Sequence, residues 1–455
     1  MSKIEVNAIE PQCGTTLTVG ASGDTIVIPS GATISNQGTA AGFGPTGAVS
    51  WNTTKITADP SPAVTGVGYF CDTTSAAFTV TLPASPAAGA VVGICDYANT
   101  FATNNLTVGR NSSNIGGIAS NAVLSTNGIS ITLVYVDATQ GWVITDSGQR
   151  SELPTPQYVT ATGGTESFSG DYKIHTFTGP GTFTVCSVGN PGGSTTVDYL
   201  VVAGGGGGGS RNNTGGGGGA GGYRESSGTA SGSYLISPLG ACVSAISVSA
   251  TAYPIAVGSG GVGSGPGCSA TNNTDGSSST SLGITSAGGG RGGNATTSPT
   301  TAVGFSGGSG GGGGGQNLVF SGGTGNSPPV SPSQGNNGGI SYATPGCTSG
   351  GGGGALTVGS AGTQPTGGPG GTGATSSING TPTGRAGGGG GGSYPGITSG
   401  GIGTEGGGTG GGTIVSTSGT INTGGGGGGS GYPNACISLA GSGGSGIVII
   451  RYKYQ

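Results

Sequence analysis

Short bursts of alternating apolar and polar residues occupy the first part of the chain, and from Gly204 onward they give way to runs of glycine. Within residues 1–45 the bursts are TLTVG, DTIVIPS and ATIS, each bounded by glycine or proline. A period of two is that of a half-buried strand. These strands are too thin to fold alone, because stable sheets need at least about three strands with an apolar face. Intertwining of several copies would supply the missing surface. Residues 46–150 are richer, with VGYFCDTT, FTVTLPA, AVVGICDYA, NLTVGR, ISITLVYVD and GWVITDS separated by Pro, Gly and Asn turns. That spacing predicts a β-sandwich or jelly-roll-like module. Residues 151–203 open on the Pro-containing hinge ELPTPQY and continue as a β-rich connector through SFSGDYKIHTFTGPGTFTVCSV to VDYLVVA.

Residues 204–455 carry most of the 113 glycines. The longest runs are Gly204–Gly209, Gly310–Gly315, Gly387–Gly392 and Gly424–Gly429, bracketed by the strand-like TVDYLVV and IVIIRYKY. A flexible linker has no use for such a bracket, since ordering both ends costs entropy. Glycine enters polyproline II freely, so a six-residue run predicts a rod of roughly 19 Å, with N–H and C=O groups pointing outward. One rod cannot stand alone: each lateral bond contributes about 0.5–1.5 kcal/mol net, against about 1–2 kcal/mol to order a residue. The expected fold is therefore all-β and modular, ending in an array of polyproline II rods closed by a C-terminal strand, with the intervening loops displayed at the rod ends.

Charged residues make up 6% of the chain and aromatics 5%, too few for an ordinary core throughout. A net charge of -4 with no basic cluster argues against nucleic acid. No stretch approaches the roughly 20 apolar residues of a membrane helix, and MSKIEVNAIEPQ lacks a signal-peptide core. Synthesis in a cytoplasm and release by lysis are expected, with no membrane insertion. Among the 8 cysteines, Cys13, Cys71, Cys95 and Cys186 sit in strand-like settings and are expected as buried free thiols. Cys242, Cys268, Cys347 and Cys436 fall between glycine runs, where one or two disulfides stay open. The single histidine, His175, lies in the strand-like DYKIHTFT and reads as structural.

No motif points to a cofactor, a metal or catalysis. GxGxxG matches follow from composition, and GxxxxGK[ST] does not occur. Glycan cleavage needs two carboxylates about 5–9.5 Å apart, and the glycine region offers only Glu225, Asp275 and Glu405, far apart in sequence. NNTG at 212–215 is a candidate sugar contact. Receptor-contact candidates are the loop aromatics Tyr234, Tyr253, Phe320, Tyr342, Tyr394 and Tyr432, which combine large contact area with few rotatable bonds. Roughly half of them should face the shaft or plug rod ends.

The opening MSKIEVNAIEPQCGTTLTVGASGDTIVIPSGATI resembles the N-terminal segment of tail-fibre proteins from marine tailed bacteriophages. GYFCDTTSAAFTVTLPASPAAG, NNLTVGRNSSNIGG and ITLVYVDATQGWVI resemble a domain that recurs in them. So do DYKIHTFTGPGTFTV, VDYLVVAGGGGGG and the terminal GGSGIVIIRYK. The rod-and-loop reading is also similar to the glycine-rich adhesin tips of T-even-like phages. The resemblance implies a homotrimeric fibre in the virion tail, joined to a tail or baseplate protein by its N-terminus, that recognises a bacterial surface receptor, protein or glycan, with its C-terminal part. The alternatives are a purely structural glycine-rich fibre or extracellular filament and a glycan-depolymerising tailspike.

Overall fold

The computed structural model describes residues 49–149 and 156–455, apart from 211–212, 231, 233, 241–242, 266–272, 297, 344–345, 395 and 433–438. The attachment segment expected over residues 1–45 lies outside the described residues, as do Cys13, Cys242, Cys268 and Cys436. The chain divides into two compact units, Met1–Leu153 and Pro154–Gln455. Apart from one helical turn at Pro299–Ala302, the regular structure is β.

In the first unit the strands are β1 (Ser50–Ile56), β2 (Val67–Cys71), β3 (Phe78–Thr81), β4 (Val91–Asp96), β5 (Leu106–Gly109), β6 (Ala122–Leu124), β7 (Ile129–Tyr135) and β8 (Trp142–Gln149). They form a five-stranded sheet, β1-β2-β4-β7-β8, and a three-stranded sheet, β3-β5-β6. Strand alternation puts Tyr69, Cys71, Val92, Ile94, Ile131, Leu133 and Trp142 on one face of the larger sheet, where they meet Val80, Leu106, Val108 and Leu124 of the smaller one. Two sheets share one core, but the order is not that of a jelly roll. β1–β2, β2–β4 and β3–β5 pair in parallel, the last two because the chain changes sheet after each of β2, β3 and β4. Alternation reports which face is buried and is silent on strand direction. On the rim, Lys55 Nζ lies 2.6 Å from Asp72 Oδ2, and this bond together with Thr74 lowers the Asp72 carboxyl to about 2.

The second unit begins with β9 (Thr160–Thr162), β10 (Thr165–Ser169), β11 (Tyr172–Phe177), β12 (Gly181–Ser187) and β13 (Thr196–Val202). Later come β14 (Tyr223–Glu225), β15 (Ile246–Ser247), β16 (Ala252–Ile255), the hairpins β17 (Ser279–Ser281) with β18 (Ile284–Ser286) and β19 (Ala374–Ser376) with β20 (Thr383–Arg385), and finally β21 (Ile447–Lys453). The main sheet runs β10-β11-β21-β13-β14. Its middle strand is the last of the chain, antiparallel to both neighbours. Of the strands in 151–203, β10, β11 and β13 lie in this sheet, while β9 and β12 form a second one with β16; all of them belong to one compact unit with the glycine region. One face of the sheet packs Tyr199, Val201, Val448, Ile450 and Tyr452 against Phe177, Phe183 and Val185. The other packs Ile174, Leu200, Val202, Ile447 and Ile449 against Ala220, Ala355, Ala374 and Ala386 of the glycine region. His175 is buried in β11, Nδ1 2.7 Å from the Gly163 carbonyl and Nε2 3.0 Å from the Tyr452 hydroxyl, as a structural histidine should be. None of Cys71, Cys95, Cys186 and Cys347 is in a disulfide; three are buried, while Cys186 is exposed because β12 turns it outward.

Beyond β13 the glycine runs hydrogen-bond with a period of three. Gly205 and Gly208 donate to Gly444 and Gly441, Gly206 and Gly209 to Gly219 and Gly216, and Gly204 and Gly207 to Ser277 and Thr274. Their carbonyls repeat the pattern, accepting from Gly261 and Ser264, Gly427 and Ser430, and Gly289 and Gly292. Every third residue thus addresses the same neighbour, which is the repeat of a threefold extended rod. Residues 215–222 bond in this way to six segments: 206–209, 287–293, 309–312, 350–353, 389–392 and 424–430. Those six also bond to one another in chain order, through Gly289 to Gly204, Gly290 to Ser309, Gly350 to Gly313, Gly352 to Gly389 and Gly426 to Gly387. The ring closes where Gly427 donates to Gly206.

Glycine is obligatory in such a lattice because the space a side chain needs is already filled. A Cβ at Gly216, Gly217 or Gly218 would run into the carbonyl oxygen of Gly312, Gly389 or Gly206, respectively. The Cα–H groups therefore face carbonyls, adding weak contacts to the N–H bonds. Outer rods obey a relaxed rule. In Thr357–Thr363 only Gly359 and Gly362 are buried, and in Thr413–Ile421 only Ser416 and Gly419. Some of their N–H groups find side chains in place of a further rod: Thr372 N meets Thr357 Oγ1 at 2.8 Å, Thr409 N meets Thr417 Oγ1 at 2.8 Å, and Val262 N meets Thr274 Oγ1 at 2.9 Å.

Candidate binding surface

The first rod leaves β13 at Ala203 and ends at Ser210, which assigns every loop to one of two ends by its hydrogen-bonding level. Level with Ala203 lie Gly222, Ala287 and Gln334, and with them the two hairpins and the insertion 223–257. At the far end the rods stop on small polar side chains. Asn294 Oδ1 accepts from Ser210 N at 2.9 Å, and Asn273 Nδ2 donates to the carbonyls of Gly208 at 3.2 Å and Gly292 at 2.7 Å. Ser393 Oγ accepts from Gly367 N at 2.8 Å, and Ser416 Oγ donates to the Leu439 carbonyl at 2.8 Å. These residues replace the rod that would come next, holding the loops on a backbone already fixed on all sides.

The six candidate aromatics divide between the ends. Tyr234 and Tyr253 belong to the insertion at the sheet end. Tyr234 is half-buried, its ring 5.2 Å from the Arg451 guanidinium, and burial pushes its hydroxyl well above the ordinary range. Tyr253 on β16 lies 6.5 Å from Phe183, its hydroxyl accepting from Ser249 N at 2.9 Å. Phe320 is at the far end but buried, pinned through Ser341, whose Oγ accepts from Phe320 N at 2.8 Å. All three are buried or half-buried. Tyr342, Tyr394 and Tyr432 are exposed at the far end, and the Tyr394 and Tyr432 rings stack at 6.4 Å with 11° between their planes. Their backbones are placed by rod ends, Tyr432 N bonding to the Ser393 carbonyl and Tyr342 N to that of Thr348.

Five aliphatic residues at this end, Leu318, Val319, Ile414, Val415 and Leu439, are also exposed and were not among the candidates. The available signal was the run of branched residues in QNLVF and TIV between glycines, which hydrophobicity alone reads as core. None of the described residues in the far-end loops carries a charge. The acids lie elsewhere and are engaged. Glu225 is buried at the sheet end with its carboxyl raised by burial and accepts from Tyr223 Oη and Ser237 N, each at 3.0 Å. Asp275 pairs with Arg291 at 2.9 Å, and Glu405 accepts from Gly373 N at 2.8 Å. Among the described residues no cluster of His, Cys, Asp or Glu has the form of a metal site.

No curated protein matches the chain. A family model described as a glycine-rich domain matches residues 176–453, more than half of the chain's 455 residues. The match starts in β11 and ends in β21, so it spans the sheet and the lattice together. By that match the chain belongs to the glycine-rich domain family, whose unit here is a lattice of backbone closed by the strand on which it ends.

Proposed function

We propose that the chain is a tail-fibre protein of a tailed bacteriophage, acting as a non-catalytic adhesin whose glycine runs are polyproline II rods. In this reading residues 1–45 attach to a tail or baseplate protein, three copies form the fibre, and the far-end loops contact a receptor on the bacterial surface. The observation that carries it is the placement of Tyr342, Tyr394, Tyr432 and five exposed aliphatics on one end of a hydrogen-bonded lattice. Exposed apolar patches of this kind mark interaction sites, and recognition loops work best on a rigid support. The homotrimer draws support from β1, an edge strand exposed along nearly its whole length, whose surface further copies would cover. A stable monomer of the full chain in sedimentation would count against it.

Adsorption of particles to host cells is the decisive test, comparing the native chain with one carrying Tyr342→Ser, Tyr394→Ser and Tyr432→Ser together. Lost adsorption at an unchanged melting temperature is the expected result. Unchanged adsorption would remove the far end as the recognition surface and leave residues 46–150 as the next place to look.

A further inference from the structure

Among the side-chain oxygens at the far end that have no hydrogen-bond partner although shut off from solvent are Oδ1 of Asn213, Oε1 of Gln316 and Oγ1 of Thr348. They belong to three segments that meet at the end of the central rod. Gly315 N donates to the Thr214 carbonyl at 2.8 Å, Ser349 Oγ donates to the same carbonyl at 2.6 Å, and the Thr214 hydroxyl donates to the Cys347 carbonyl. Native structures leave few buried polar atoms unpaired, so several in adjoining segments call for a partner from outside the chain. Neighbouring polar groups are in use, Cys347 Sγ reaching Asn317 Oδ1 at 3.6 Å and Ser349 Oγ also bonding to Thr214 Oγ1 at 2.9 Å. Thr348 is fully buried, whereas Asn213 and Gln316 are half-buried and able to turn.

The chemistry of the set is narrow. Two amides and a hydroxyl are neutral, and each can both donate and accept. A divalent cation would call for carboxylates, and an anion for Arg, Lys or a row of free N–H groups. A sugar hydroxyl, itself donor and acceptor, matches. Beside the cluster, the bond from Tyr342 N to the Thr348 carbonyl, 2.8 Å, sets an exposed tyrosine at its border. A tyrosine on a segment bonded to this one, together with amides on adjoining segments, can supply an apolar platform for the C–H face of a sugar ring and partners for its hydroxyls. We propose that Asn213, Gln316 and Thr348, bordered by Tyr342, form a subsite for a neutral saccharide. This deepens the adhesin reading and rests on it.

Saturation-transfer NMR on the full chain tests the subsite, with the methyl glycosides of glucose, galactose and mannose as probes and N-acetylneuraminic acid as the charged comparison. At least one neutral glycoside should receive saturation and the acid none. Asn213→Ala and Gln316→Ala should each weaken that binding by about tenfold, while Val358→Ala, at an exposed position on an outer rod, leaves it unchanged; a melting curve for each variant excludes unfolding. Absence of binding by all three neutral glycosides overturns the proposal, as does binding that survives both alanine variants. A chain that adsorbs to cells through its tyrosines but binds no glycoside loses the subsite and keeps the adhesin reading. One whose adsorption is indifferent to every far-end substitution loses that reading itself.

Discussion

The first unit and the glycine lattice of the second are held together by opposite parts of the polypeptide. In the first, side chains make the core: Leu133, Ile94 and Trp142 interdigitate, and the backbone merely carries them. In the lattice the backbone is the core, and side chains are admitted only at rod ends and on outer faces. Stability in the first case scales with apolar area removed from water, whereas in the second it depends on a dense net of N–H and Cα–H contacts that must all be made at once. A hydrophobic core tolerates a change of shape better than a lattice tolerates a single methyl group.

Calorimetry can break that comparison. Gly217→Ala on the central rod should have the largest effect, because its Cβ meets the Gly389 carbonyl and parts rods that have no slack. At roughly 1–3 kcal/mol for each bond left unmade, loss of several bonds should lower the melting of the second unit by 10 °C or more, at about 2–4 °C per kcal/mol, and leave the first unit untouched. An unchanged second transition would mean the runs are linkers. Leu133→Ala should cost the first unit about 2–5 kcal/mol and spare the second; a shift in both transitions would show that the units do not melt independently. On the perimeter, Thr357→Ala removes the partner of Thr372 N and should cost about 0.5–1.5 kcal/mol, with Val358→Ala near zero because that side chain is exposed. If Val358→Ala costs as much as Gly217→Ala, the division into inner and outer rods fails.

Acid should distinguish the units by the smallest margin. Asp72, lowered to about 2 from an ordinary 3.8, contributes stability to the first unit above pH 3.8, and that contribution is lost as pH falls toward 2. His175 is lowered from 6.5 by burial, so its contribution to the second unit is present above pH 6.5 and lost as pH falls through its depressed value. Glu225 is raised from 4.5 by burial and acts in the opposite sense, its contribution present below pH 4.5 and lost as pH rises through the raised value. On acidification His175 and Glu225 therefore oppose each other in the second unit. His175→Gln, which keeps a neutral amide in the strand, should flatten the acid side of the second transition; an identical pH profile would remove the histidine from the account.

Much of this was legible beforehand, and what escaped did so for identifiable reasons. Unbroken runs such as Gly387–Gly392 revealed the inner rods, since a position enclosed on all sides can hold nothing larger. Thr357–Thr363 and Thr413–Ile421 did not read as rods, because an outer rod needs a small residue only at every third position. Partner choice was invisible for a deeper reason: glycine runs are chemically identical, so loop lengths, hairpins and end residues such as Asn273 and Ser393 must set the register. On the far end, Tyr394 and Tyr432 were singled out as aromatics in loops between glycine runs, and both are exposed. Phe320 was not separable from them, since whether an aromatic plugs a rod end or projects from it depends on neighbours remote in the chain.

The ring of rods visited in chain order has an evolutionary consequence. Successive ring members are also successive in the gene, and each is built largely of glycine. A recombination event with both crossovers in adjoining glycine tracts would replace one loop with another of different length and chemistry, and the junctions would be glycine on either side whatever their source. The loops can therefore change in a single genetic step without a compensating change in the rods.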